Sequence, residues 1–341
     1  MFETIKLLTE LSGPCGQEEA VQAVVEARWR ECEVRVERTR TGSLLGRVGG
    51  SGPKVLLVAH ADELCYLVRA IDANGFLWLA NGQAWSRTTS IRQGFYPGQR
   101  VRILARSGEL PGTLATVTGH TAGFLRESTE FTWDDFWIDT GLSRAELAER
   151  GVTPGTRVIW DARTEKVGAH LVGKAFDDRG GVAILCELAR RIAGHSLNCQ
   201  LTLATTVQEE IGVIGAAALA AREEFDAAIV VESGQAGDVP RTGELNVPLR
   251  LGAGPALVHK DSLVHYDHAL TTRVERLAAA KDIPIQPAVL GFIGTDGLSL
   301  MKGDIPTACL SFPTRYTHSP FETVHERDLD LMVDLLEAFV R

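Results

Sequence analysis

The chain has no CxxC pair, and its six cysteines (Cys15, Cys32, Cys65, Cys186, Cys199 and Cys309) are scattered singly. In a protein this long they read as small buried residues in a reducing compartment, not as a disulfide framework. Blocks of lysine and arginine are also missing. With 35 basic against 44 acidic residues the formal charge is -9, which leaves none of the basic face that nucleic-acid phosphates require. The apolar stretches, such as 55–59 and 216–221, are too short to span a bilayer. The amphipathic start MFETIKLLTELSG lacks the charged-then-apolar layout of a signal peptide. These absences lead to the expectation of a cytoplasmic protein without nucleic-acid or membrane partners. Internal repeats and low-complexity segments are absent, and nothing matches a nucleophile elbow, a phosphate loop or a dinucleotide fingerprint. The Gly-rich stretch 291–297 neither follows a clear strand nor ends in Lys-Ser/Thr. What remains is 45% hydrophobic and 23% charged over 341 residues, the balance of a globular enzyme with one large core or two domains.

The pattern changes character twice along the chain. Residues 1–11 and 17–31 have helical periodicity, separated by Ser12-Gly13-Pro14, and KVLLVAH at 54–60 is a buried-strand signal without alternation. From about residue 68 short strands and turns dominate, with Asn74-Gly75 between two apolar runs. Strands are expected near 100–104, 112–117, 136–138 and 158–160, and a short helix at 143–150 is signalled by Ser143 and Glu146 spaced as a capping box. Beyond residue 161 helices and strands alternate: helices at 178–193, 215–222, 271–280 and 327–340, strands at 199–207, 227–231 and 307–311. The fold expected is α/β: a mixed-sheet domain with helices on both faces (1–67 plus 162–341), interrupted by a smaller inserted β-rich domain (68–161).

Four segments carrying chemistry sit at or just beyond predicted strand ends, where open α/β sheets place their ligands. His60-Ala61-Asp62-Glu63 can put an imidazole on a metal with a carboxylate beside it. Asp177-Asp178 enters an apolar helix; such carboxylates serve as N-caps, and at a buried corner one of them can bridge two ions. Glu209-Glu210 follows the strand at 199–207, and both side chains reach one site only if the chain turns, which Gly212 and Gly215 permit. His318 lies in a loop after the strand at 307–311, and Glu232 ends the strand at 227–231. Together these supply two imidazoles, three carboxylates and a spare glutamate. That inventory suits two borderline divalent ions, zinc first and cobalt or manganese also, sharing one carboxylate. The chemistry expected is hydrolysis of an amide bond by a metal-activated water. Glu209 is the general base that takes the proton and returns it to the leaving amine.

The order of the motifs resembles the M42 family, which contains the glutamyl and tetrahedral aminopeptidases. The resemblance rests on Ser-Gly-Pro-x-Gly, His-x-Asp-Glu, Gly-Lys-Ala-Phe-Asp-Asp-Arg-x-Gly, Gln-Glu-Glu-x-Gly-x-x-Gly-Ala, Gly-Thr-Asp-Gly and Arg-Tyr-x-His-Ser-x-x-Glu, and it covers nearly the whole chain. It implies a metallo-aminopeptidase acting on peptides, with Asp177 bridging two ions. Glu232 would complete one ion with one of His60 and His318, and Glu210 the other ion with the remaining histidine. Asp62 would orient His60. The resemblance also implies an inserted domain used in self-association, from dimers to twelve-subunit particles. The aromatic residues Trp78, Trp85, Phe131, Trp133 and Phe136 lie in that insert, and the expectation is that they form interface surface.

One position departs from the pattern. The family usually has Asp where this chain has Glu232, and more distant two-metal enzymes that remove acyl groups or C-terminal residues often carry Glu there. A deacylase or carboxypeptidase is therefore the alternative reading. A paired-carboxylate glycosidase needs acids on opposite sides of a sugar bond, which the adjacent Glu209 and Glu210 do not supply. A non-catalytic assembly protein would not need a complete ligand set and a base.

Overall fold

Residues 54–60 lack hydrophobic alternation because both of their faces are covered. In the computed structural model, which describes residues 1–82, 98–117, 133–242 and 247–341, Val55, Leu57 and Ala59 face one core and Leu56 and Val58 face another. The strands are β1 (Arg35–Arg38), β2 (Leu44–Gly49), β3 (Lys54–His60), β4 (Tyr66–Ile71), β5 (Leu77–Asn81), β6 (Arg100–Ala105), β7 (Gly108–Ala115), β8 (Trp137–Asp139) and β9 (Arg157–Trp160), followed by β10 (Glu165–Val167), β11 (His170–Gly173), β12 (Gln200–Thr206), β13 (Ala227–Gln235), β14 (Ala256–Lys260), β15 (Gln286–Val289), β16 (Thr307–Arg315) and β17 (Glu322–His325). The described helices are α1 (Phe2–Glu10), α2 (Glu19–Glu31), α3 (Arg144–Glu149), α4 (Phe176–Ile192), α5 (Ile214–Ala220), α6 (His268–Ala280), α7 (Gly297–Lys302) and α8 (Glu326–Val340). None of them is long and apolar enough to cross a membrane.

The chain divides into two units. The larger comprises Met1–Glu63, Thr164–Thr317 and Phe321–Arg341, and the smaller Leu64–Arg163 with His318–Pro320. The larger is built on an 11-stranded mixed sheet of order β1-β2-β12-β3-β13-β16-β17-β11-β10, with β14 and β15 branching from β16. Its centre, β12-β3-β13-β16, is parallel, and its wings are mostly antiparallel. Residues of α1, α2, α4, α6 and α8 pack on one face, and Leu219 of α5 and Leu300 of α7 on the other. This is the mixed α/β architecture that strand–helix alternation predicts. The parallel centre is what concentrates chemistry, because the carboxyl ends of four strands meet along one edge.

The smaller unit is a closed barrel of β4-β5-β8-β7-β6-β9, filled by residues including Val68, Leu79, Ile103, Phe136 and Ile138. Helix α3 starts with the capping box that Ser143 and Glu146 announce. The aromatic expectation needs one correction. Phe136 is fully buried, because the closed barrel has an interior that takes this ring, so it offers no surface. Trp78 and Trp133 are half-buried; Trp85 and Phe131 lie outside the described residues.

Candidate metal centre

His60 is the last residue of β3, and register pairs it with Thr206, the last residue of the parallel neighbour β12. Its Nε2 lies 3.2 Å from Asp177 Oδ1 and 3.7 Å from Glu232 Oε1, and its Nδ1 is 3.5 Å from Asp62 Oδ1. Asp177 enters α4, where Glu322 Oε2 accepts a hydrogen bond from its backbone N at 3.1 Å. The Asp177–Asp178 peptide bond is cis. The two aspartates divide their work. Asp178 is fully buried and takes the capping role: Oδ1 accepts from Gly181 N at 3.2 Å and Oδ2 from His60 N at 3.1 Å.

The turn that the adjacent glutamates require is present after β12. Gln208 has a φ of 55° and Gly212 of 140°, and both glutamate amides converge on Asp62: Glu209 N donates to Oδ1 at 3.0 Å and Glu210 N to Oδ2 at 3.1 Å. Gly215 contributes differently from the turn-forming role expected of it. A Cβ there would fall 2.6 Å from Val207 N, so it allows α5 to pack closely on the end of β12.

Among the described residues two groups offer metal-ligand atoms lying within 4.8 Å of one another: His60, Asp177 and Glu232, and Asp177, Glu210 and His318. His318 sits between β16 and β17 with a φ of 65°. The sequence leaves open which histidine accompanies which glutamate; the geometry groups His60 with Glu232 and His318 with Glu210, with Asp177 common to both. Glu209 belongs to neither group.

The electrostatics fit divalent cations. Burial pushes the Glu209, Glu232 and Asp178 carboxyls well above their usual range, and neighbouring acids add to each shift. Burial alone would lower the His60 imidazole, but Glu232, Asp177 and Asp62 outweigh it and hold it well above its ordinary value. Burial likewise raises Asp62, yet His60, the Glu209 amide and the Cys15 thiol keep its carboxyl low. In this buried cluster the carboxyl groups crowd one another around an imidazole Nε2 that lies between Asp177 and Glu232, and bound cations would favour their ionised forms. The cluster's oxygen and nitrogen donors match borderline divalent ions.

Several supporting residues show their role only in the fold, although Glu322 and Asp296 lie within motifs already quoted from the sequence. Besides Glu322 they include Cys15, which reaches Asp62, and Glu18, whose Oε1 accepts from Gln208 N at 3.1 Å. Asp296, in Gly-Thr-Asp-Gly, accepts from Thr206 Oγ1. Its carboxyl is pushed up to about 6, chiefly by burial.

The family model described as M42 glutamyl aminopeptidase matches residues 42–335. The chain belongs to the M42 peptidase family. It is 30% identical to the putative aminopeptidase FrvX of Escherichia coli (strain K12), over 99% of this chain and 94% of that protein. An aminopeptidase from the archaeon Desulfurococcus kamchatkensis superposes with a TM-score of 0.91 at 28% identity, covering 99% of this chain and 93% of the other. The TET1 peptidase of Pyrococcus horikoshii, which assembles into a tetrahedron or a large octahedral shell, gives a TM-score of 0.88 at 28% identity over 99% and 98% of the two chains. M42 members are metallo-aminopeptidases that use divalent metal, and this chain is one of them by fold and family.

Proposed function

We propose that this M42 enzyme removes N-terminal residues from short peptides at a two-ion centre, with His60, Asp177 and Glu232 holding one ion and Asp177, Glu210 and His318 the other. The observation that carries this reading is the pair of ligand groups sharing Asp177 and leaving Glu209 out. Two such ions, zinc, cobalt or manganese, would supply the Lewis acidity that makes a water easier to deprotonate and polarises the scissile carbonyl. Glu209 takes the proton of that water and delivers it to the leaving amine. Asp62 accepts from both glutamate amides, which fixes the backbone of the base and of its ligand neighbour together. It faces His60 Nδ1 as well, leaving Nε2 to serve as the ligand.

The test is hydrolysis of matched dipeptides with free and N-acetylated termini, in the presence of zinc, cobalt or manganese. Free peptides should be cleaved much faster, because acetylation removes the ammonium that an acidic site recognises and adds bulk. Faster cleavage of N-acetyl amino acids would make the enzyme a deacylase, and release of C-terminal residues a carboxypeptidase.

The same reading extends to assembly and location. The chain self-associates, as the shell-forming Pyrococcus horikoshii relative does; we assign the contact to the barrel unit because it carries the half-buried Trp78 and Trp133, and place the enzyme in the cytoplasm. A homo-oligomer is expected at micromolar concentration in light scattering; a strict monomer would reject the assembly.

A further inference from the structure

The loop before α2 reaches into the support of the metal centre. Cys15 Sγ is 3.2 Å from Asp62 Oδ2 and 3.7 Å from the Glu63 carbonyl oxygen. Only 4% of Cys15 and none of Asp62 is exposed to solvent. The thiol is presented by a loop with little freedom. Glu63 N donates to Gly13 O at 3.0 Å, Gly13 N donates to Glu63 Oε1 at 3.1 Å, and Gly16 N donates to Glu18 Oε1 at 2.6 Å. Asp62 therefore receives the thiol and the Glu210 amide on Oδ2, and the Glu209 amide on Oδ1, which also faces His60 Nδ1.

We propose that Cys15 is a positioning residue: its S–H fixes the rotation of the Asp62 carboxylate, and through Asp62 the imidazole that holds metal. The inference rests on His60 being a ligand, as argued above. Physically, two backbone amides alone do not fix the carboxylate. Both come from the same turn, so Asp62 can swing towards them and away from His60 Nδ1, which lies 3.5 Å away without a formed hydrogen bond. The thiol pulls Oδ2 from a different element and closes that freedom. Thiols are weak donors, so the effect is smaller than loss of the carboxylate itself.

The experiment titrates Co²⁺ into metal-free protein against a chromophoric chelator and records the cobalt absorption bands. Partners one shell beyond a ligand change metal affinity about 10–100-fold. Cys15 stands one step further out, so Cys15→Ala should weaken one of two cobalt sites by about three- to tenfold and shift its bands. Cys15→Ser, which keeps a donor, should stay within about twofold of the parent. The cobalt bands are the readout that a merely structural cysteine would not move, because a loss of packing stability alone leaves the ligand field of the folded site unchanged. Cys15→Val, which fills the space without a donor, must bind cobalt as weakly as the alanine variant, and it serves in place of that variant if Cys15→Ala does not fold. Parent-like cobalt affinity in the donor-less variants overturns the proposal, as does a serine variant as weak as they are. His60→Ala still binding two cobalt ions would overturn the ligand assignment instead, a failure distinguishable because it does not involve Cys15.

Discussion

Replacing Glu63 with glutamine should be among the most damaging single changes to the larger unit, although Glu63 is not a ligand. Its carboxylate lies 2.6 Å from Lys174 Nζ and 3.0 Å from Arg179 Nη2, and all three side chains are at most 2% exposed. Arg179 also donates to the carbonyls of Ala61, Leu8, Leu11 and Gly13, and Lys174 to that of Leu11, so this network ties the N-terminal segment to the ends of β3 and β11. In Glu63→Gln two buried cations lose the carboxylate they share. Breaking a buried pair from one side costs about 3–5 kcal/mol, and the remaining carbonyl contacts keep the loss within that range. Lys174→Met removes a charge-assisted bond worth about 1.5–3 kcal/mol but also relieves the burial of an excess cation. Its net cost should be smaller, about 1–2 kcal/mol. Urea unfolding of the metal-free proteins, followed by circular dichroism, measures both. A Glu63→Gln midpoint indistinguishable from the parent, or a Lys174→Met variant less stable than Glu63→Gln, would mean that Glu63 does not hold the two cations in place.

Two further predictions concern acids near the site. Glu18, with its carboxyl pushed by burial and then by Asp62 from 4.5 up to about 7 against the pull of the Gly16 and Gln208 amides, holds a proton in the folded state that the unfolded chain has released. Stability should therefore be fully present below about 4.5, fall as pH rises and reach its floor above about 7. Glu18→Gln should flatten that slope and exceed the parent by roughly 1–3 kcal/mol at pH 8; equal slopes in unfolding of the metal-free proteins between pH 5 and 8 would reject it. Glu232→Asp, which restores the usual family residue, should leave two ions bound and raise the preference for free over N-acetylated substrates. An unchanged preference would mean that the loops around the pocket, and not this ligand, set specificity.

The legible parts of the chain were those whose signals are local. Lys54–His60 reads as a strand buried on both faces, and Ser143 with Glu146 announces α3, because side chains a few residues apart carry the information. Edge strands were invisible: β1 is Arg-Val-Glu-Arg and β10 is exposed throughout, so neither has an apolar period to detect. The same division runs through the site. The acids and imidazoles stand out by residue type at strand ends, and the geometry brings together all five expected ligands, His60, Asp177, Glu210, Glu232 and His318. Beyond Asp62, the contacts that support them are not readable in the sequence. The contacts of Asp62 with Cys15, of Asp177 with Glu322 and of Gln208 with Glu18 span 47, 145 and 190 residues, and only the folded sheet makes them neighbours. Asp178 marks the limit of residue type: two adjacent aspartates look alike by themselves, the family resemblance points to Asp177 as the ligand, and the geometry groups Asp177 with the other ligands and gives Asp178 the capping role.

Glu209→Gln probes the centre most directly. The substitution keeps size and shape, and Glu209 lies outside both ligand groups, so elemental analysis should find two divalent ions per chain, as in the parent. Turnover of a free dipeptide should fall by about 10²–10⁴, the usual contribution of a general acid–base group. Undiminished turnover would contradict the assignment of Glu209, and loss of an ion would mean that Glu209 is a ligand and the division of labour between the two glutamates is wrong.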